Sequence, residues 1–201
     1  MDKGDLMMSR IKICVLSIVM LFLASSASAT LLVDDPCAMP GWADTMYFGS
    51  GDLTTEVDYA VFAPGDFAGI DSSAGYVYAY QVFNTSISGS ISMFELMLLN
   101  SDVVAMAGSV DTYGGSQVPS IMAIDSFADV YRAFFSPSLP ENDYSEVLLL
   151  TSLNGPTRTL ASVINSGLSD SSDDAPSPIP EPASLGLMSL GAIALLRRKT
   201  S

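Results

Sequence analysis

Alternating side chains mark the stretch Tyr76-Val77-Tyr78-Ala79-Tyr80-Gln81-Val82-Phe83 as a β-strand. One face of this strand carries the three tyrosines and Val82, and the other carries Val77, Ala79 and Phe83. Aromatic and β-branched residues favour strands, so the residue types agree with the alternation. The stretch indicates a β-rich domain.

Similar short segments lie on both sides of this stretch. Leu53 to Phe62 also alternates and places Val57, Tyr59 and Val61 on one face. The other candidate strands are Ile87 to Leu99, Val103 to Val110, Ser120 to Ile124, Val130 to Phe135, Glu146 to Thr151 and Thr159 to Ile164. Turn-forming groups such as Ala63-Pro64-Gly65-Asp66 and Asn154-Gly155-Pro156 separate the strands. Roughly eight strands at this spacing predict an all-β fold, a single antiparallel β-sandwich of jelly-roll-like type. A short helical turn over Phe94 to Leu99 is the alternative for that segment.

Residues 1–29 have the three parts of a secretion signal. Basic residues precede an apolar run from Ile13 to Ala24, and small residues follow it. Ala27 and Ala29 fit an A-x-A cleavage site, so we expect signal peptidase to cut after Ala29. Translation starts at Met1 or, alternatively, at Met7 or Met8.

A second targeting pattern occupies residues 180–201. It begins with Pro180-Glu181-Pro182, continues with the uncharged run Ala183 to Leu196 and ends with Arg197-Arg198-Lys199. A helix over the uncharged run is about 21 Å long, which is less than the roughly 30 Å hydrocarbon core of a bilayer. The basic residues hold this end on the cytoplasmic side. We expect a short transmembrane helix over 183–196 that anchors the chain transiently in the inner membrane.

The order of these three parts resembles the PEP-CTERM sorting domain of Gram-negative bacteria. The residues that carry the resemblance are Pro180 to Leu187, the apolar run and the basic cluster, and they cover about the last 22 residues. The resemblance implies processing by an exosortase, a membrane cysteine transpeptidase, in species that make extracellular polysaccharide. Pro180, Glu181, Pro182, Arg197, Arg198 and Lys199 would form the sorting signal.

Two stretches between the ends are similar to β-rich domains that often accompany this sorting tail. The first stretch is Val57 to Gly65 followed by Tyr78 to Asn84. The second is Phe135-Ser136-Pro137 followed by Ser145 to Pro156. Most of those domains have no assigned activity, so this resemblance adds little about function.

The segments divide the chain into a signal peptide over 1–29, a β-sandwich ectodomain over 30–168 and the sorting tail. Residues 169–179 are rich in Ser, Asp and Pro, which predicts a disordered acidic linker. Between Thr30 and Ile179 the sequence has 19 acidic residues and only two basic ones, Arg132 and Arg158. Such a domain lacks the cations that a nucleic-acid backbone requires, so nucleic-acid binding is excluded. We expect the mature protein in the cell envelope or outside the cell.

Catalytic chemistry has few candidates in this sequence. The chain has no histidine, which removes Ser-His-Asp and Cys-His catalysis. Cys37 is the single cysteine of the central region, and we expect it to be buried or inert. A glycoside hydrolase needs only a pair of carboxylates. The candidates for that pair are Asp58, Asp66, Asp71, Glu95, Asp102 and Asp111. With so many acids some pairs lie close by chance, so we expect no enzymatic activity and no catalytic residue.

Calcium is the cofactor that an acidic domain could hold, since its ligands are hard oxygens. Candidate ligands are Asp34, Asp35, Asp170, Asp173 and Asp174, but none fits an EF-hand loop or a nonapeptide repeat. We expect no obligatory cofactor. The leading prediction is a non-catalytic surface or matrix protein associated with exopolysaccharide. The alternatives are a carbohydrate- or calcium-binding β-sandwich module and, after it, a carboxylate-dependent glycoside hydrolase.

Overall fold

The computed structural model describes residues 32–68, 70–72, 75–99, 104–165 and 168–179. The predicted signal peptide over 1–29 and the predicted sorting tail over 180–201, with its helix over 183–196, lie outside these residues. Among the described residues, no helix has the length and apolar character needed to cross a membrane.

Strands make up nearly all of the regular structure in the described residues. A single 3-10 turn, Leu32–Asp34, comes before them. In chain order the strands are β1 Ala38–Ser50, β2 Leu53–Phe62, β3 Tyr76–Asn84, β4 Ile91–Met97, β5 Val104–Val110, β6 Ile121–Asp125, β7 Val130–Leu139, β8 Asp143–Tyr144, β9 Val147–Ser152, β10 Pro156–Asn165 and β11 Leu168–Pro178.

The strands form two sheets. The first sheet has the order β1-β2-β3-β9-β5, and the short β8 pairs with β3. The second sheet has the order β11-β10-β4-β7-β6. Neighbouring strands pair antiparallel in both sheets. The predicted all-β class with antiparallel sheets is confirmed, and the jelly-roll-like connectivity stays a prediction.

The main core fills the space between the two sheets. From β3 in the first sheet, Tyr78, Tyr80 and Val82 join this core, as the alternation predicted. The second sheet contributes residues such as Phe94 and Tyr131. The rings of Tyr80 and Phe94 lie 5.6 Å apart between centroids. The inner face of β3 therefore holds the two sheets together through large buried side chains.

A second apolar cluster covers the opposite face of the first sheet. Val77 and Ala79 of β3 belong to it, again as predicted, together with Phe62 of β2. The loop residue Phe67 lies over this face, with its ring 4.9 Å from that of Phe62. Leu32 and several other residues complete the cover. The centre of the first sheet is thus buried on both faces, which explains why Val77 and Ala79 of β3 and Ala60 and Phe62 of β2 are apolar on the outer face as well.

One strand prediction needs correction, and one strand was not predicted. The segment from Ile87 becomes a strand only at Ile91, and Phe94 to Met97 is extended in β4, so the alternative helical turn is wrong. Strand β1 was not predicted because Pro40 and Gly41 interrupt its pattern. The register shifts between Ala38 and Ala43, and Gly41 has a φ of 79°, so a bulge accommodates both residues.

The predicted disordered linker over 169–179 is also wrong, because most of it forms β11. This strand lies at the edge of the second sheet and pairs with β10 alone. An edge strand needs hydrogen bonds on one side only and tolerates proline, so a polar, proline-containing sequence can occupy it. Its last part, from Ala175 to Pro178, is buried, and the Tyr80 hydroxyl donates a hydrogen bond to the Pro176 carbonyl. The folded domain therefore extends to Ile179.

Ending the chain after Gly167 tests this correction. The shortened protein loses the β10–β11 ladder and the buried segment from Ala175, so we expect a Tm at least about 10 °C lower, or no cooperative unfolding. A chain that ends after Ile179 is the control and keeps the original Tm. Circular dichroism during heating measures both. Equal Tm values for the two chains would restore the linker interpretation.

Candidate functional site

The residues predicted to direct processing lie outside the described part of the chain. They are Ala27, Ala29, Pro180, Glu181, Pro182, Arg197, Arg198 and Lys199. The structure does describe Ile179, the residue just before Pro180-Glu181-Pro182. The Ile179 amide donates to the Gly155 carbonyl at 3.0 Å, and Asn154 Nδ2 donates to the Ile179 carbonyl at 2.6 Å. The folded domain thus includes Ile179.

The outer strands of the two sheets, β1 and β11, come together at one side of the sandwich. The Gly49 amide of β1 donates a hydrogen bond to Asp170 Oδ2 of β11 at 2.6 Å. Residues of both strands line a cleft of about 320 Å³. The lining residues are Asp44, Thr45, Met46 and Tyr47 of β1, Tyr59 of β2, Arg158 of β10, and Ser172 and Asp174 of β11. We call this cavity the β1–β11 cleft.

Arg158 is the organising residue of the β1–β11 cleft. Its guanidinium carbon lies 4.9 Å from the ring centroid of Trp42 and 5.3 Å from that of Tyr59. Its Nη1 donates to the Tyr59 hydroxyl and to the Asp174 carbonyl, and its Nη2 donates to the Gly41 carbonyl at 3.3 Å. One side chain on β10 therefore contacts β1, β2 and β11.

The two described arginines have different surroundings. Arg132 donates to Glu95 at 2.7 Å and to Asp125 at 3.0 Å. The pKa of Asp125 lies below its ordinary value, chiefly because the Ala128 amide donates to it and then because of Arg132. No carboxylate of the described residues lies within 4.0 Å of the Arg158 guanidinium. Its contacts are aromatic faces, a hydroxyl and carbonyl oxygens.

The open part of the cleft presents polar groups of both kinds. Tyr47 is 73% exposed, but strand alternation places its side chain with that of Thr45, on the face of β1 opposite to Met46, so its ring faces away from the cleft. Asp44 and Asp174 supply acceptors, and the Ser172 hydroxyl is both donor and acceptor. Within this composition the guanidinium of Arg158 is the cationic group.

Asp58 of β2 lies beside Thr45 of β1 and is 6% exposed. Burial raises its pKa, a hydrogen bond from Thr45 Oγ1 at 2.7 Å opposes this effect, and the neighbouring Glu56, Asp34 and Asp44 raise it further. In the folded protein this carboxyl therefore holds its proton more tightly than an exposed aspartate does.

Asp58→Asn should therefore stabilise the protein in a pH-dependent way. A raised folded-state pKa means that ionised Asp58 lowers the free energy of unfolding at neutral pH. This penalty disappears as the pH falls through the folded pKa towards the ordinary value of 3.8. Urea unfolding at about pH 7 should show the variant to be more stable than the original protein, and at about pH 4 the difference should shrink. Asp66→Asn, at an exposed loop position, controls for the loss of one negative charge. If the difference in the free energy of unfolding between Asp58→Asn and the original protein did not change with pH, the prediction would be contradicted.

The carboxylates considered for hydrolysis do not line the β1–β11 cleft. Asp58 is buried beside Thr45, and Glu95 pairs with Arg132. Asp66 and Asp71 belong to the β2–β3 connection, and Asp71 borders a separate cavity of about 120 Å³. Asp111 follows β5, and Asp102 lies outside the described residues. The acids of the larger cleft are instead Asp44 and Asp174.

Two of the five candidate calcium ligands, Asp35 and Asp170, have other partners. Asp35 accepts hydrogen bonds from the Cys37 amide and from the Tyr113 hydroxyl. Asp170 accepts from Gly49 in the contact between the sheets. Across the described ranges, no three His, Cys, Asp or Glu residues gather in an arrangement that could hold a metal ion. The Cys37 thiol, expected to be buried or inert, is exposed.

The sequence reasoning did not find the β1–β11 cleft. Trp42 is the only tryptophan of the chain, and Arg158 is one of two basic residues between the predicted signal and the tail. These two rare residues were the sequence feature that could have indicated the cleft. Their proximity, however, depends on β1 meeting β11, and neither strand was predicted.

Comparison with known protein families places a PEP-CTERM protein-sorting motif at residues 178–199. Searches of curated proteins and of solved structures give no match. The chain is thus an all-β protein that carries a PEP-CTERM sorting tail, as its last residues predicted. This tail marks it for exosortase-dependent sorting to the cell surface.

The contacts of Arg158 lead to a stability prediction. Arg158→Lys keeps the charge but removes the planar guanidinium, which donates to Tyr59, Asp174 and Gly41 at the same time. We therefore expect the free energy of unfolding to fall by about 1 to 2 kcal/mol. Urea unfolding monitored by circular dichroism measures the change. Arg132→Lys is the matched control and should cost less, since its partners are two partly exposed carboxylates. If Arg158→Lys lowered the free energy of unfolding no more than Arg132→Lys does, the inference that Arg158 joins β1, β2 and β11 would be contradicted.

Proposed function

We propose that the protein is a non-catalytic, exported surface or matrix protein that associates with exopolysaccharide after its tail has been processed. The direct attachment of the sorting motif to the folded domain at Ile179 carries this proposal. A signal at one end and a sorting tail at the other give the two processing enzymes, signal peptidase and exosortase, a defined order of action.

Export through the inner membrane accounts for both targeting segments. The signal over 1–29 starts translocation, and the helix over 183–196 stops it. Until the tail is cut, the domain is tethered to the membrane by its last strand. Hydrogen bonds hold Ile179 to the β9–β10 turn, and only residues 180–182 separate it in the sequence from the proposed helix.

A non-catalytic role agrees with the placement of the titratable groups. The sequence has no histidine, and the carboxylates proposed for hydrolysis are buried, ion-paired or in loops away from the larger cleft. The excess of acidic residues keeps the domain soluble and self-repelling outside the cell.

A carbohydrate-binding module is the second candidate, and one observation favours it over calcium binding. The β1–β11 cleft combines acceptors and donors of hydrogen bonds around Arg158. A calcium site requires several oxygen ligands around one point.

The proposed processing is tested by the intact mass of the protein from its native host, measured in each cell fraction. We expect a chain that begins at Thr30 and ends near Pro180, recovered from the matrix or outer envelope. Replacing Pro180, Glu181 and Pro182 by alanine should leave a chain that retains Leu185 to Ser201 in the inner membrane.

Thr200→Ala, which lies beyond the matched motif, is the control and should be processed normally. An original protein that keeps its tail in the inner membrane would overturn the proposal, since the tail would then be a permanent anchor.

A further inference from the structure

We infer that the end of the sandwich from which the sorting tail leaves lies against a zwitterionic lipid bilayer until the tail is cut. This inference rests on the proposed function and deepens it, because it names the partner of one surface of the domain. Exposed apolar side chains form that surface, and they are Met97, Leu99, Phe127, Leu153 and Ile179. We call these residues the tail-side surface.

Strand direction and hydrogen bonds place the tail-side surface at one end of the second sheet. Strand β10 begins beside the end of β11. The antiparallel order then brings the end of β4, the start of β7 and the end of β6 to the same side. Thr159 Oγ1 of β10 donates to the Met97 carbonyl of β4 at 3.1 Å. The Leu98 amide donates to the Asp129 carbonyl, next to β7, at 2.7 Å. The β6–β7 turn, the β9–β10 turn and Ile179 therefore project from one end.

Phe127 is fully exposed on a turn whose backbone is held in place. Asp125 Oδ1 accepts hydrogen bonds from the amides of Phe127 at 3.0 Å and Ala128 at 3.1 Å. Arg132 in turn donates to Asp125 at 3.0 Å. An exposed phenylalanine ring is disfavoured in water. Aromatic and aliphatic side chains of this kind enter the boundary between lipid headgroups and acyl chains.

The β9–β10 turn offers a second exposed apolar side chain, next to the start of the tail. Leu153 is 75% exposed. The neighbouring Asn154 and Gly155 are hydrogen-bonded to Ile179. Neither this turn nor the tip of the β6–β7 turn, residues 126–128, contains a charged residue. An anionic membrane surface would repel the acidic domain, whereas these uncharged tips can enter a zwitterionic one.

The tail decides which surface of the domain meets the bilayer. Other exposed apolar side chains, such as Ile87 and Val118, lie in loops at the opposite end. Four residue steps separate Ile179 from Ala183, where the proposed membrane helix begins, and they span at most about 14 Å. So short a tether gives the tail-side surface a high effective concentration beside the lipid, so that individually weak contacts are occupied. The contact orients the domain while the tail is present, and removal of the tail releases it.

Tryptophan substitutions test this contact in vesicles of phosphatidylcholine. The chain from Thr30 to Ser201, which contains every described residue and the whole tail, is reconstituted in ordinary vesicles and in vesicles with brominated acyl chains. Bromine quenches a tryptophan that touches the acyl chains. Phe127→Trp probes the tail-side surface away from the tail, and Leu153→Trp probes it beside the tail. Ile87→Trp is the matched control, because Ile87 is 93% exposed at the opposite end.

We expect bromination to lower the emission of Phe127→Trp and Leu153→Trp about twofold relative to Ile87→Trp. The original protein supplies the background from Trp42, the only tryptophan of the chain, and Ile87→Trp should lose no more emission than this background. Circular dichroism confirms that the variants fold. Quenching of Leu153→Trp alone would overturn the inference, because the tether by itself brings that position close to lipid. Equal quenching of Phe127→Trp and Ile87→Trp would overturn it as well.

Flotation of the vesicles separates this inference from the proposed function. The chain from Thr30 to Ser201 should float with the vesicles, and a chain from Thr30 to Ile179 should float much less. Flotation of the longer chain without quenching of Phe127→Trp would overturn the inference and leave the proposed tether intact. If Phe127→Ser then slowed processing in the native host, the surface would belong to a protein partner instead. A longer chain that does not float would overturn the tether in the proposed function, and this inference with it.

Discussion

Burial of both faces of β3 is the constraint on which the rest of the domain depends. Its inner face meets the second sheet through Tyr78, Tyr80 and Val82, and its outer face meets Phe62, Phe67 and Leu32. A strand buried on both sides needs partners along both edges, because unpaired backbone groups in an apolar interior are costly. Strands β2, β8 and β9 supply these partners. The loop after β2 and the 3-10 turn then act as a third layer rather than as simple connections.

The second sheet is tied to the first by polar contacts at one side as well as by the core. Arg158 reaches from β10 to Tyr59, Gly41 and the Asp174 carbonyl, and Asp170 accepts from Gly49. These bonds join the outer strands of the sandwich, where the apolar core thins. The same contacts shape the β1–β11 cleft. The Arg158 guanidinium therefore both stabilises this side of the sandwich and supplies hydrogen-bond donors to the cleft. A site built on paired strands keeps its geometry without a ligand, which lowers the entropic cost of binding.

The alternation of apolar side chains predicted the strands that have an apolar face. It missed the strands that are stabilised mainly by pairing with a neighbouring strand. The bounds of β2 and the two faces of β3 followed from alternation alone, since burial selects those side chains. Strand β11 reads as a linker because its residues favour solvent, and only pairing with β10 makes it a strand. Strand β1 is interrupted by Pro40 and Gly41, which a bulge absorbs. The cleft depends on both of these strands, so its residues were beyond local reasoning, whereas the sorting motif is a short linear signal and was found directly.

The structure of β11 changes how the sorting tail should be understood. A disordered linker would allow a membrane enzyme to reach the motif at a distance from the domain, with little dependence on folding. Here Ile179 is hydrogen-bonded to the β9–β10 turn, and Ala175 to Pro178 are buried, so the first two residues of the matched motif, Pro178 and Ile179, belong to the folded domain. An enzyme that acts on the tail would have to accommodate the folded domain unless β11 separated from β10. Separation would expose the buried end of β11 and free the Tyr80 hydroxyl, and it would also dismantle one wall of the β1–β11 cleft. Folding, tail accessibility and the cleft are thus linked through one edge strand.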